Sequence, residues 1–184
     1  MNFIHEMIGA FPIESCINMI NFFENNINLS KPGVAGTVGL LDDLEISLSL
    51  DFKNPNNFGL EYTLCNAIKE YKNKFPLIDS HDGDWNIFPH YQFMKYEPNK
   101  YYERIHCEND GHQSHISRVF GWMVYLNDIE DGGGTHFVYQ NFTTKPVAGN
   151  LYIWPAGWTH MHHGVNAPKE VKYILTGWVN YTDN

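Results

Sequence analysis

The chain has few cysteines and no long hydrophobic run. Only Cys16, Cys65 and Cys107 occur among its 184 residues, without a Cys-x-x-Cys pair, so neither a disulfide framework nor a zinc knuckle is indicated. No apolar stretch approaches the roughly 20 residues that cross a bilayer. Residues 1–11 lack the basic start and apolar stretch of a signal peptide. We therefore expect a soluble cytoplasmic protein that does not bind membranes.

Positive charge is also scarce. The sequence holds 12 Lys and Arg against 21 Asp and Glu, which gives a formal net charge of -9. Nucleic-acid binding relies on clustered cations that neutralise phosphates, and no such cluster is present, so no nucleic-acid partner is expected. Hydrophobic residues make up 43% and aromatic residues 15%, enough for a sizeable core and typical of β-rich folds.

Helical periodicity is confined to the N-terminal part, about residues 1–79. Apolar residues recur at helical spacing over residues 14–27 and again over residues 57–75. The apolar face of the first predicted helix contains Ile17, Ile20, Phe23 and Ile27, and that of the second contains Leu60, Leu64, Ile68 and Tyr71.

Short strands separated by glycine-rich turns dominate from about residue 85 onward. The predicted strands cover residues 91–96, 101–108, 119–126, 135–139, 150–154, 160–164 and 171–181. Such regular spacing indicates a sandwich or barrel, and the jelly roll is the variant that holds metals at its mouth. The sequence therefore predicts a mainly β (α+β) single domain over 1–184. It would have a double-stranded β-helix (jelly-roll) core at about 85–184, with the N-terminal helices packed on one sheet.

A pattern of metal-binding residue types runs through this predicted core. His106 and Glu108 are two residues apart, so on an extended strand both side chains face the same side. A third ligand from a distant strand would give two imidazoles and one carboxylate, a set that suits Fe(II) and leaves coordination positions open. His160 and His162 share a face. The ten-residue spacing from His162 to Lys172 across a turn favours His162.

Lys172 adds a second expectation about the same cavity. An ammonium group inside a barrel needs an anionic partner. A dicarboxylate co-substrate that chelates the iron at one end would provide that partner at its other end.

Taken together, these motifs resemble the Fe(II)/2-oxoglutarate-dependent dioxygenases, in particular their prolyl 4-hydroxylase-like branch. The family pattern of His-x-Asp/Glu, a distant His and a Lys or Arg about ten residues later is matched by His106, Glu108, His162 and Lys172. Residues 118–128 and 132–135 are similar to the family's Tyr-Leu-Asn-Asp and Gly-Gly-x-Thr segments. Residues 151–155 resemble the strand before the distal His.

The resemblance implies Fe(II), 2-oxoglutarate and O2 as cofactor and co-substrates, with ascorbate as a stimulant. It implies hydroxylation of a C–H bond, with release of succinate and CO2, on a peptide, protein or small-molecule substrate. A peptidyl proline is the substrate that the analogy suggests. By the same resemblance, Lys172 and Tyr125 would bind the distal carboxylate of 2-oxoglutarate, and Tyr96 and Trp178 would line its pocket.

Two departures from the family pattern and two alternatives accompany this interpretation. Glu108 stands where the prolyl branch usually has Asp, and Gly134 replaces a usual Glu. A cupin-like metalloenzyme that does not use 2-oxoglutarate would not need Lys172 buried opposite the metal. A non-catalytic jelly-roll binding module would not need the three metal-binding side chains to converge.

Overall fold

The computed structural model describes residues 1–35, 40–80 and 83–182, with side chains placed except over residues 33–45. The described helices are α1 (Ile13–Asn25) and α2 (Leu60–Lys74). The described strands are β1 (His5–Met7), β2 (Lys31–Ala35), β3 (Leu40–Asp51), β4 (Trp85–Tyr96), β5 (Arg118–Tyr125), β6 (Thr135–Phe137), β7 (Phe142–Thr143), β8 (Leu151–Pro155), β9 (His162–Gly164) and β10 (Lys172–Tyr181).

These strands form two antiparallel sheets. The large sheet has the order β1-β8-β5-β10-β4-β3-β2, and the small sheet has the order β7-β6-β9. The two sheets meet through buried aromatic side chains: the rings of Phe137 on β6 and Trp154 on β8 lie 5.4 Å apart, centroid to centroid. This arrangement is the predicted jelly-roll core, so the expected fold class is confirmed.

Alternate side chains on the central strands face opposite sides of the large sheet. On β5, Phe120 and Trp122 pack into the core cluster that includes both helices. Met123 and Tyr125, on the same strand, belong to a second cluster between the sheets. The face of the large sheet that is turned away from the helices therefore remains available to line a site.

Helix α1 forms where the periodicity predicts it, but its buried face was assigned partly wrongly. Phe23 is buried as expected, whereas Ile17 and Ile27 are exposed. The buried stripe consists of Cys16, Met19 and Phe23. These three residues recur after three and then four positions, as on a helix that packs one face on a sheet. Ile17 lies off that stripe, and Ile27 lies beyond the end of the helix, in the 3-10 turn Ile27–Leu29.

Helix α2 follows its prediction closely. Leu60, Leu64 and Tyr71 are buried, and Ile68 packs against the same cluster. Both helices therefore lie on one sheet, as expected. Within the described part of the chain, no helix combines the length and apolar character needed to span a bilayer.

The strand predictions need several corrections, one of which is that the two-residue strand β7 was not predicted. The N-terminal part also contributes β1, β2 and β3 to the large sheet, which helical periodicity could not reveal. Residues 101–108 are not a strand: only His106 makes a bridge, to His162. The strand predicted over residues 160–164 begins at His162, because His160 ends a short 3-10 turn.

Candidate metal centre

Two histidines and one glutamate meet at the edge of the small sheet. The candidate ligand atoms of His106, Glu108 and His162 all lie within 4.8 Å of one another, and Nε2 of His162 lies 3.4 Å from Oε1 of Glu108. Glu108 and His162 are buried and His106 is half-buried. Within the described ranges, no other cluster of three His, Cys, Asp or Glu has this geometry. The structure thus brings together the three residues that the sequence singles out.

A reciprocal pair of backbone hydrogen bonds positions the two histidines. The N–H of His106 donates to the carbonyl of His162 at 3.0 Å, and the N–H of His162 donates to that of His106 at 2.8 Å. Their rings are 4.4 Å apart, centroid to centroid. This single bridge extends the small sheet just far enough to bring the 101–108 segment beside β9. Glu108 lies two residues after His106, so in this extended segment its side chain points to the same side as that of His106.

Both imidazoles are oriented by a backbone carbonyl. Nδ1 of His106 lies 3.0 Å from the carbonyl oxygen of Arg104, and Nδ1 of His162 lies 2.8 Å from that of His160. A carbonyl can only accept, so each Nδ1 carries the hydrogen. Nε2 of each neutral ring is then left with a lone pair for a cation. Such outer hydrogen bonds typically fix the orientation of metal-binding histidines.

The protonation states of the cluster also suit a cation. Burial, the largest influence, lowers the pKa of His106 and favours the neutral imidazole. Burial alone would raise the pKa of Glu108. Interactions with the His162 and His106 side chains and a hydrogen bond from Trp178 outweigh that effect and lower this pKa to about 2. A neutral imidazole and an ionised carboxylate are the forms that bind metals.

The cluster opens into a cavity of about 630 Å³. Strand β10 supplies one wall through its alternate residues Lys172, Ile174, Thr176 and Trp178. Tyr96 of β4 lines the same cavity. Lys172, Trp178 and Tyr96, all predicted from the sequence to face the co-substrate, therefore share one space with the histidine–glutamate cluster.

Lys172 is a buried cation in this cavity. It is 4% exposed, and its Nζ lies 4.5 Å from the centroid of the Tyr96 ring. The two residues are directly opposite each other in the pairing of β10 with β4. A cation over an aromatic face gains some electrostatic stabilisation, and the cavity leaves room for an anion beside it.

Tyr125 does not line the cavity, contrary to the expectation that its hydroxyl binds the co-substrate. The side chain is fully buried, and its hydroxyl lies 2.6 Å from Oγ1 of Thr144 and 3.3 Å from Oγ1 of Thr135. Thr135 does line the cavity. The resemblance implied a direct contact for Tyr125, but Thr135 of the small sheet lines the cavity beside the Tyr125 hydroxyl.

The sequence analysis did not identify several residues that surround Glu108 as part of the site. Arg118 donates from Nη1 to the Glu108 carbonyl at 3.0 Å. Trp154, which lines the cavity, has its ring 5.3 Å from that of His162. The glycine at position 121, inside β5, was a sequence signal for this crowding, since a glycine within a strand often marks the close approach of another group.

Gly121 provides the space that Glu108 and Trp154 occupy. A Cβ at this position would lie 2.8 Å from the Trp154 ring and 2.9 Å from Cγ of Glu108. We expect Gly121→Ala to lower the free energy of unfolding of the metal-free protein by about 1–3 kcal/mol, the usual cost of overpacking a core. Urea denaturation measures this change.

Gly157→Ala is the matched control, because nothing lies within 4 Å of a Cβ built there. Its free energy of unfolding should stay within about 0.5 kcal/mol of the wild-type value. Equal stabilities for the two variants would show that Gly121 is not needed for close packing.

The neighbouring histidines are engaged elsewhere. Nε2 of His160 lies 2.9 Å from the carbonyl oxygen of Asn2, and the backbone carbonyl of His160 lies 2.8 Å from Nδ1 of His162. His163 pairs across the small sheet with His136, at a ring-centroid distance of 5.4 Å. The choice of His162 from this group therefore agrees with the geometry.

Comparison with known proteins gives one family. The family model described as 2OG-Fe(II) oxygenase superfamily matches residues 91–180. That range contains the histidine–glutamate cluster and Lys172. No curated protein sequence matches the chain significantly.

Three solved structures share the fold over nearly the whole chain. A viral collagen prolyl hydroxylase from Paramecium Bursaria Chlorella virus-1, in complex with 2OG, has a TM-score of 0.71 at 19% identity, covering 99% of this chain and 97% of its own. A Pseudomonas putida prolyl-4-hydroxylase has a TM-score of 0.71 at 16% identity, with coverages of 100% and 95%. A Trichoplax adhaerens prolyl hydroxylase has a TM-score of 0.72 at 13% identity, with coverages of 100% and 84%.

Proposed function

The chain belongs to the 2OG-Fe(II) oxygenase superfamily, and we propose that its iron is held by His106, Glu108 and His162 while Lys172 binds the far carboxylate of 2-oxoglutarate. The observation that carries this proposal is the convergence of the three ligand atoms within 4.8 Å, in the cavity that also contains the buried Lys172. The superfamily's enzymes are dioxygenases that use Fe(II), 2-oxoglutarate and O2.

The donor set fits the metal. Two imidazole nitrogens and one carboxylate are the ligands of non-haem Fe(II) oxygenases, and they leave positions open for the other reactants. Both histidines would bind the metal through Nε2, since their Nδ1 atoms are hydrogen-bonded to backbone carbonyls. When bound, iron and 2-oxoglutarate supply the oxidising chemistry, which converts 2-oxoglutarate and O2 to succinate and CO2 and hydroxylates a C–H bond.

Lys172 supplies the charge that this co-substrate needs. A carboxylate in contact with a buried ammonium makes a strong charge-assisted hydrogen bond. Lys172 and the proposed metal ligands line the same cavity, so one dicarboxylate would contact both. Tyr96 orients the Lys172 side chain through its ring face.

We propose that Thr135, and not Tyr125, contacts the co-substrate directly. Thr135 lines the cavity, and its Oγ1 lies 3.3 Å from the Tyr125 hydroxyl. Burial raises the pKa of Tyr125 to about 12, so its hydroxyl stays protonated and remains a hydrogen-bond donor. Tyr125 would then act on the co-substrate only through Thr135.

A peptidyl proline is the substrate that we propose. The structural relatives are prolyl hydroxylases, and the Trichoplax adhaerens enzyme is in complex with a hypoxia inducible factor peptide fragment. The cavity is also lined by Arg104, Asp110, His115 and Arg118, polar groups that can hydrogen-bond a peptide backbone. Gly134, which replaces the usual Glu, removes one negative charge from the small sheet next to Thr135.

The two alternatives lack comparable support. A non-catalytic jelly-roll module gives no reason for the three ligand atoms to converge. A cupin-like enzyme that does not use 2-oxoglutarate gives no reason for a buried lysine in the same cavity.

The substrate is tested by mass spectrometry. Proline-containing peptides incubated with the protein, Fe(II), 2-oxoglutarate, ascorbate and O2 should gain one oxygen atom, with one succinate formed per hydroxylated residue. His162→Ala provides the inactive control. Coupled turnover with free amino acids, nucleosides or lipids, and none with peptides, would contradict the proline assignment and leave the oxygenase assignment intact.

A further inference from the structure

The two carboxylate oxygens of Glu108 have different partners. Oε1 lies 3.4 Å from Nε2 of His162, inside the proposed metal site. Oε2 accepts a hydrogen bond from Nε1 of Trp178 at 2.5 Å. From this difference we infer that Trp178 is a positioning residue that reserves Oε2 and leaves Oε1 alone for the metal. This inference rests on the proposed function, because it assumes that Glu108 is a metal ligand.

Trp178 reaches Glu108 because of its place on β10. It is the last of the alternate residues that line the cavity wall, and it lies at the register shift of β10 against β4, between Gly177 and Val179. The indole nitrogen can only donate a hydrogen bond, so it can hold a carboxylate oxygen but cannot compete for the metal.

Arg118 holds the indole in place. Its guanidinium carbon lies 3.8 Å from the centroid of the Trp178 ring, a stacked cation–π arrangement. The same guanidinium donates to the Glu108 carbonyl at 3.0 Å, and its Nη1 is 3.9 Å from Oε2. Arg118 therefore links the backbone of Glu108 to the side chain that binds its carboxylate.

This arrangement also accounts for a glutamate at a position where the prolyl branch usually has Asp. The extra methylene needs space, which Gly121 provides next to Cγ of Glu108. It also makes the carboxylate more mobile, and an unrestrained carboxylate can bind a metal through both oxygens. With Oε2 hydrogen-bonded to Trp178, Oε1 would be the carboxylate oxygen that holds the metal, as suits a site that must keep positions open for other reactants.

Co²⁺ binding to the metal-free protein tests this role without relying on turnover. Trp178→Phe keeps an aromatic ring for Arg118 to stack on but removes the donor. We expect its Co²⁺ dissociation constant to rise by roughly 10- to 100-fold, as typically follows the loss of an outer hydrogen bond to a metal ligand. Trp158→Phe is the matched control, because Trp158 is 71% exposed, and it should bind Co²⁺ like the wild type.

The outcomes separate the inference from the proposed function. If Trp178→Phe binds Co²⁺ with wild-type affinity and an unchanged visible spectrum, Trp178 only packs against its neighbours and the inference is overturned. If His162→Ala binds Co²⁺ as well as the wild type does, the metal site itself has been misassigned and the proposed function fails.

Discussion

Replacing His106, Glu108 or His162 by alanine is expected to abolish stoichiometric Fe(II) binding and, with it, turnover. Each residue supplies one of three ligand atoms that lie within 4.8 Å of one another. Loss of a direct ligand should weaken binding by more than the roughly 100-fold that loss of an outer partner can cost. Metal content after anaerobic loading and desalting measures the effect.

The control variants for this experiment are His163→Ala and His160→Ala. His163 faces the other side of β9, towards His136, and the His160 side chain is bonded to Asn2. Both variants should retain iron. A metal-free His160→Ala protein together with an iron-binding His162→Ala protein would show that the third ligand is His160.

Lys172→Ala is expected to raise the KM for 2-oxoglutarate strongly while iron stays bound. Breaking a buried charge pair by removing one partner costs about 2–5 kcal/mol, which corresponds to a rise of roughly 30-fold to 4,000-fold. Lys172→Arg should keep part of the affinity, since it retains the positive charge. Initial rates of succinate formation at varied 2-oxoglutarate concentration give the KM.

Lys169→Ala is the matched control for the lysine variant. Lys169 lies nearby in sequence, but its side chain is 77% exposed, and its Nζ is 3.3 Å from Asp131. Its KM should equal the wild-type value. An unchanged KM in Lys172→Ala would contradict the assignment of Lys172 as the co-substrate anchor.

The hydrophobic pattern of the sequence predicted the central helix and strands, because burial against the core requires apolar residues at those positions. Helix α2 and strands β4, β5, β8 and β10 all contain an apolar repeat that packing requires. Strand β1 has only three residues, too short for a repeat to show. In β3, Ile46, Leu48 and Leu50 do alternate with serines, so a signal for that strand was present and was missed.

Spacing in the sequence pointed to the proposed metal ligands but not to the groups that support them. His106 and Glu108 are close in sequence, and the ten-residue spacing from His162 to Lys172 favoured His162 as the third proposed ligand. The hydrogen bond between Trp178 and Glu108 joins residues 70 positions apart, and no local sequence pattern encodes a contact at that separation. Tyr125 illustrates a related limit, because a motif match does not show that Thr135 and Thr144 contact its hydroxyl.

Anaerobic addition of Fe(II) and then 2-oxoglutarate to the metal-free protein tests the central claim most directly. Our account predicts a weak visible absorption band from metal-to-ligand charge transfer, which appears only when both are present. The band should be absent in His162→Ala and should need a higher 2-oxoglutarate concentration in Lys172→Ala. Stoichiometric iron binding without this band at saturating 2-oxoglutarate would contradict the claim that the co-substrate binds at this metal.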